Sequence, residues 1–394
     1  KRQSTFIKKS DSAFGKDAYY RFIKERRYNW RKFLILSATA LLQRIKPLHK
    51  LGEHRLLIID DTVEAKRGKH IEGCCKYIYS NKEHRSINAL NIVSLNYADS
   101  HSTFQLDFAI KTNDSKRKDI SQFTTKLHHK SNAYQRKSEI TKGKNILAIE
   151  MLQRALNSGV EADYLLVDSW YAKPNFIHQA HELGVPVIAR LPNNKLIWNF
   201  KGKHKTMNAI YESLKNSRYK SSGKHGKISY KYFDAIVEHA VLGKVKLVFL
   251  HTGKDLLVFI STDISIVGKE ILATYKKRWN IEQGYKDLRN LFGLGKEENR
   301  IYEALIARIT LSMFAYNIVS YINRIKHEPQ TLGELFRDLE CELETLAISM
   351  QLFIQILTKI SEIENVVKDN KDLLTILAVL SAYTQKELGF MCES

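Results

Sequence analysis

Only four cysteines occur in 394 residues: Cys74, Cys75, Cys341 and Cys392. Their spacing fits no zinc framework, and the adjacent pair cannot easily clamp one tetrahedral ion. They read as buried or incidental thiols, as in a reducing compartment. Long apolar runs are scarce as well. The strongest, residues 304–322, contains Arg308 and too few apolar residues to span a bilayer, and no signal-peptide pattern opens the chain at Lys1. These absences lead us to expect a cytoplasmic protein with no membrane partner. Whole-chain disorder is also excluded, because a 44% apolar and 10% aromatic composition supports a real core.

Acidic residues are outnumbered. Lysine and arginine total 63 against 42 aspartates and glutamates, a formal charge of +21 and a pI near 9.6. A polyanion is the natural partner, with nucleic acid ahead of a membrane surface. Charge alone leaves ribosome binding or plain solubility open. The length suits one large domain or two to three smaller ones.

Residues 1–50 are basic and helical in pattern, ending near Pro47. Within them KERRYNWRK (24–32) interleaves positive charge with aromatics, which suits either phosphate and base contacts or a solvated helix packed by its rings. Leu56 to Ile59 is a continuous apolar run, predicting a buried strand with Asp60 and Asp61 at its end. Lys66, Arg67 and Lys69 follow and would meet an anion held there. Residues 86–98 and 102–110 predict two further strands in an antiparallel meander. Residues 111–143 read as a polar loop with a ragged helix, and Lys144 to Leu156 as a helix closed by Gly159.

Tyr164 to Val167 repeats the earlier pattern, an apolar strand delivering an aspartate, Asp168. Pro174 opens a helix, Gly184 ends it, and Val185 to Ala189 predicts another strand. Residues 191–255 read as a largely β insertion with a basic surface. Its Trp198 suits either a core position or a base-stacking one. LLVFIST (256–262) returns as a strand, and residues 268–293 predict one helix carrying Glu282. On that helix Tyr275, Arg278, Glu282 and Arg289 would share one face. Taken alone the face suits a solvated, salt-bridged surface as well as a metal and phosphate site. Residues 304–322, 334–357 and 372–380 predict further helices. The fold class is therefore α/β: a mixed sheet with helices on its faces, interrupted by a β-rich insertion.

Asp60, Asp168 and Glu282 are each more than a hundred residues from the next, so only folding can unite them. Hard divalent cations take oxygen ligands. Two such ions can activate an attacking hydroxyl and stabilise a departing oxygen in phosphoryl transfer, while lysines and arginines hold the backbone.

IIDDT, LLVDSWY and YKKRWNIEQGYKDLR together resemble a bacterial insertion-sequence transposase of the IS4-related DDE group. The group's signature is a tyrosine, an arginine three later, a glutamate four beyond and a lysine seven beyond that. Tyr275, Arg278 and Glu282 match it, and Arg289 stands in place of the lysine. Arginine keeps the charge, but its planar fork is not equivalent to an ammonium. The resemblance covers roughly residues 54–325.

The resemblance implies an RNase H-like core. A basic helical DNA-binding region would occupy residues 1–50, the core 51–190 and 256–325, the insertion 191–255, and further helices 326–394. It implies Asp60, Asp168 and Glu282 as catalytic residues holding two Mg²⁺ ions, with Mn²⁺ a plausible substitute. Tyr275, Arg278, Arg289, Lys66, Arg67, Lys69 and Trp198 would contact DNA. Metal-dependent endonuclease cleavage at transposon ends would be followed by 3′-OH strand transfer into target DNA. The partners would be double-stranded DNA bearing terminal inverted repeats and a second copy of the chain in a synaptic complex, associated with the bacterial nucleoid. The alternatives are an RNase H-fold DNA nuclease that does not join strands, and an inactive or domesticated DNA-binding protein.

Overall fold

A computed structural model describes residues 16–68, 71–80, 84–112, 127–192, 196–216, 221–225, 228–253, 255–296, 299–326 and 330–341. Residues 26–324 form one compact unit, and residues 1–25 with 325–394 form a second. The expected N-terminal region 1–50 is thus divided between the two. Helix α1 (Lys16–Ile23) belongs to the smaller unit.

Helix α2 (Trp30–Ile45) opens the larger unit, its first turn capped by the Asn29 side chain, which accepts from the Lys32 N–H. Leu34, Ile35, Ala38, Leu41 and Ile45 recur at helical spacing and are buried. Trp30 is buried too. Arg31 pairs with Asp107 and Glu139 at 3.1 and 2.5 Å. The aromatic-basic stretch therefore sends Trp30 and Arg31 into the fold, where neither meets DNA.

Four strands follow: β1 (Leu56–Ala65), β2 (Cys75–Ser80), β3 (Arg85–Ala98) and β4 (Thr103–Lys111). Strand β1 runs on past Ile59, because β3 is long enough to pair it antiparallel from Leu56 to Ala65. The aspartates thus lie within the strand. The sequence gives no sign of β2, since it lacks a buried face and exposes Tyr77 and Tyr79. Helices α3 (Asn132–Ser138) and α4 (Lys144–Asn157) lead to β5 (Tyr164–Val167), α5 (Pro174–Glu182) and β6 (Val187–Leu191). Strands β1, β5 and β6 are parallel neighbours.

The insertion comprises β7 (Ile197–Phe200), β8 (Lys203–Thr206), α6 (Met207–Leu214), β9 (Ser221–His225), β10 (Ile228–His239) and β11 (Gly243–Thr252). It is largely β, as expected, with one helix. Strand β12 (Asp255–Ser261) pairs antiparallel with both β11 and β6, so insertion and core share one sheet. Its order is β2-β3-β1-β5-β6-β12-β11-β10-β7-β8, with β4 on β3 and β9 on β10.

Helices α7 (Gly268–Lys276), α8 (Trp279–Asn290) and α9 (Tyr302–Ile325) come next. Leu57, Ile59, Leu165, Val167 and Val187 point from one sheet face into a core built with α2, α4 and α5. The alternate residues of β1 meet α8 on the opposite face. Against expectation, α9 is long and apolar enough to meet the criterion for a membrane span, but 67% of that window is buried inside the fold. Its Asn317 side chain donates to the Gln105 carbonyl and accepts from the Gln105 N–H, pinning β4 where its register with β3 shifts.

Helix α10 (Leu332–Cys341) lies in the smaller unit and starts with a capping box. The Glu334 N–H donates to Thr331 Oγ1, and Glu334 Oε2 accepts from the Thr331 N–H. Of the helix expected over 334–357 only the part within α10 is described; the rest of it, the helix expected over 372–380, and residues 113–126 of the polar stretch expected over 111–143 lie outside the described residues.

Candidate active site

Successive side chains of a strand point to opposite faces, so Asp60 and Asp61 diverge. Asp60 faces α8, where its Oδ2 accepts from Arg278 Nη1 at 2.8 Å. Thr62 and Glu64 follow on the same face, and both accept from Arg289 Nη1, at 2.9 and 3.0 Å. Asp61 faces α4 and pairs with Lys144 at 2.7 Å.

Asp168 stands directly beyond β5, whose Val167 is level with Ile59 of β1. Its Oδ1 accepts from the backbone N–H groups of Trp170 and Tyr171, at 2.9 and 3.2 Å. This local turn fixes the carboxylate's orientation. Asp60 and Asp168 thus emerge from adjacent parallel strands, and the charge of Asp168 acts on Asp60.

The single helix expected over 268–293 is two. At the junction Lys277 N–H donates to Thr274 O and Arg278 N–H to Tyr275 O, both at 3.0 Å, and these tighter i to i−3 bonds break the α-helical run. Tyr275 lies in the last turn of α7, stacked edge-on against Phe259 of β12 at 4.9 Å and near the charges of Asp168 and Arg190. Arg278 stands at the N-cap of α8, and its Nη2 donates to Glu282 Oε1 at 2.6 Å. Two contacts hold α8 tightly on the sheet. The Tyr285 hydroxyl donates to the Asp60 carbonyl at 3.0 Å and is 2.7 Å from the Ser94 hydroxyl. At Gly284 a Cβ would lie 3.3 Å from Gln105 Nε2, so only glycine allows this approach without displacing the amide.

A cleft of about 700 Å³ opens between β1 and α8, lined by Asp60, Thr62, Trp279, Glu282 and Arg289 among others. Asp168 is not in its wall, but sits at the β5 side of Asp60. Burial pushes the Asp60 carboxyl up to about 7, helped by the charges of Asp168 and Asp61, and outweighs the pull of the Asp61 N–H and of Arg278. Burial likewise holds the Tyr275 hydroxyl above its ordinary value.

Asp60, Asp168 and Glu282 offer only carboxylate oxygens, which suit a hard divalent cation in kind. Among the described residues no three His, Cys, Asp or Glu side chains are arranged to hold a metal ion. The Arg278 guanidinium instead joins Asp60 to Glu282, a cation where these two carboxylates approach each other. The donor set fits, and a metal ion binding both carboxylates would displace that guanidinium.

The other expected DNA contacts fare differently. Trp198 is fully buried and packs on His239 at 5.1 Å, so it cannot stack on a base while the insertion is folded. Lys66 is buried, with its Nζ donating to the Gly295 carbonyl at 2.9 Å, which turns it from a surface phosphate contact into a loop brace. Arg67 is exposed, and Lys69 lies outside the described residues. Five residues now join the site: Glu64, Lys144, Tyr171, Arg190 and Tyr285. Only Glu64 carried a sequence signal, the alternation Asp60, Thr62, Glu64 along β1. Tyr171 joins through the local turn at Asp168, and the others reach the site through tertiary contacts.

A family model described as DDE superfamily endonuclease matches residues 7–209, just over half of the chain and including Asp60 and Asp168. No curated protein matches the chain.

Proposed function

Because the chain belongs to the DDE superfamily endonucleases, enzymes of metal-dependent DNA cleavage with an RNase H-like core, we propose that it is a DNA transposase of the IS4-related group. The observation that carries this reading is the placement of three carboxylates. Asp60 and Asp168 come from adjacent parallel strands, and Glu282 from the helix packed over Asp60. The signature's glutamate is Glu282 itself, and its tyrosine and arginine, Tyr275 and Arg278, stand beside the carboxylates, with Arg289 at the fourth position.

In this reading Asp60, Asp168 and Glu282 hold two divalent cations, Mg²⁺ by preference. When bound, such ions activate the attacking hydroxyl and stabilise the departing oxygen. The remaining work falls to the chain's own groups. Asp60 must lose its proton to become a ligand. Arg278, released from Asp60 and Glu282, turns to a phosphate oxygen of the DNA. Tyr275 and Arg289 flank the backbone on either side of Glu282. The first step is hydrolysis of the strand at a transposon end, leaving a 3′-OH. In the second that 3′-OH attacks a target phosphodiester, forming one bond as the other breaks in line. Two ends must meet, so a homodimer holding two inverted repeats on the nucleoid is the functional assembly.

The test uses the purified full chain, Mg²⁺, duplex from the sequences flanking its gene labelled at the 5′ end of the strand to be transferred, and a target plasmid. We expect label to join the plasmid, and Asp60→Ala, Asp168→Ala or Glu282→Ala each to abolish both cleavage and joining. Cutting without joining would make the protein a nuclease of this fold. End binding with no metal-dependent cleavage would make it an inactive DNA-binding relative.

A further inference from the structure

The indole of Trp170 is the exposed aromatic beside Asp168 that the cleavage chemistry leaves unused. It is 44% exposed, while Trp30 and Trp198 are buried. Its position is fixed from two directions. The Trp170 N–H donates to Asp168 Oδ1, and the indole packs edge-on against Tyr171 at 4.9 Å. Tyr171 is itself fully buried. The ring is therefore an outward plate on a rigid mount, and exposing it forgoes the burial that a tryptophan ordinarily gains.

Two ammonium groups stand over this plate, Lys144 at 4.9 Å and Lys173 at 4.7 Å from the ring centre. Both mark helix starts, Lys144 as the first residue of α4 and Lys173 as the N-cap of α5. Lys144 is also bonded to Asp61, tying the plate to the strand that bears Asp60. Lys173 is exposed and has no carboxylate partner among the described residues. A flat π-face with cations at hand complements a nucleotide, whose base stacks and whose phosphate takes the ammonium. An unpaired base offers a free face, whereas inside duplex DNA both faces are covered by neighbouring pairs.

We propose that Trp170, Lys144 and Lys173 form a binding site for one unpaired nucleotide of the DNA strand beside Asp168. The base stacks on the indole, and Lys173 leaves the ring to hold a flanking phosphate. The site is sequence-tolerant, because every base has a π-face. It rests on the DNA-cleaving reading and adds to it a preference for locally single-stranded DNA.

The experiment is done without metal, in chelator, on the full chain. The probes are a fluorescein-labelled oligothymidylate and a blunt duplex of equal length. In a Trp279→Phe background, oligothymidylate should quench the exposed tryptophan emission. Trp170→Ala should weaken oligothymidylate binding about ten-fold and leave duplex binding within about two-fold, with Trp170→Phe recovering most of the loss. Lys173→Ala should flatten the salt dependence of oligothymidylate binding by about 0.7 in log–log slope. Unchanged thermal melting shows that the variants fold. Unaltered oligothymidylate affinity in Trp170→Ala, or an equal loss for both probes, would overturn the proposal. Metal-dependent nicking of plasmid by the unmutated chain tests the parent reading separately. If nicking persists while Trp170→Ala binds oligothymidylate normally, only the nucleotide site is lost.

Discussion

Arg278 reaches across 218 residues of sequence to place a guanidinium nitrogen 2.8 Å from Asp60 Oδ2. The same group bonds Glu282, so two of the three proposed metal ligands already share one cation, and it is part of the protein. An internal cation of this kind relieves the repulsion of a carboxylate cluster when no metal or DNA is present.

Replacing Arg278 should therefore separate metal affinity from catalysis. In Arg278→Ala without DNA, calorimetric titration with Mn²⁺ should show tighter binding than in the unmutated chain, because nothing has to be displaced. DNA cleavage should fall by two orders of magnitude or more, as expected when a positioned charge on the phosphate is removed. Equal or weaker Mn²⁺ affinity in the variant would contradict the competition.

Asp60 links stability to pH. Its carboxyl titrates near 3.8 in the unfolded chain and near 7 in the folded one, so between those values the folded state retains a proton that the unfolded state has released. Stability from this group is then greatest below about pH 4 and declines as pH rises toward 7, by up to roughly 1.4 kcal/mol per pH unit. In metal-free buffer the melting temperature of Asp60→Asn relative to the unmutated chain should rise from pH 5 to pH 8. Cleavage by the unmutated protein should increase with pH through the same range, because metal binding requires the deprotonated carboxylate. A pH-independent difference between the two proteins would show that Asp60 titrates normally.

Arg289 and Glu64 form a second coupled pair on the same strand face. Glu64 is buried, so Arg289→Ala leaves a carboxylate without its guanidinium, at a cost of about 1–3 kcal/mol. Glu64→Gln in that background should restore part of the loss, a coupling that urea titration of the double-mutant cycle measures. Strictly additive effects would mean that the pair contributes nothing. Both Arg289 bonds come from one nitrogen, Nη1, so Arg289→Lys, which keeps the charge on one multi-donor nitrogen, should melt above Arg289→Ala.

Trp198 gives a stability prediction where the sequence allowed a DNA contact. Trp198→Ala should destabilise the insertion by about 3–5 kcal/mol, seen as an earlier unfolding transition. Trp170→Ala, at an exposed site, should leave that transition in place.

Much of this architecture is legible in one dimension. Leu56 to Ile59 and Tyr164 to Val167 are apolar runs bounded by aspartates, and such runs lie at the centre of a parallel sheet because both their faces are covered. Strand β2 left no trace because its side chains are mostly exposed and pattern-reading needs a buried face. The break between α7 and α8 was equally silent. It rests on a change from i−4 to i−3 hydrogen bonding at Lys277 and Arg278, where no proline or glycine intervenes. Trp30, Arg31 and Trp198 were ambiguous for a simpler reason: an aromatic or basic residue looks the same in a core pair as on a DNA-facing surface.

The sequence by itself determined the chemistry on offer: carboxylates after apolar runs, a basic chain, and a tyrosine, arginine and glutamate at helical spacing. Those features depend on residue type and local periodicity, which the chain states directly. Only the tertiary structure decided how they are used. It turned Asp60 toward α8 and Asp61 toward Lys144, since the pleat fixes that neighbours diverge but not which face a distant helix will cover. It also brought the Arg278 guanidinium onto Asp60 and the Lys144 ammonium over Trp170, contacts that exist only once separate segments are folded together.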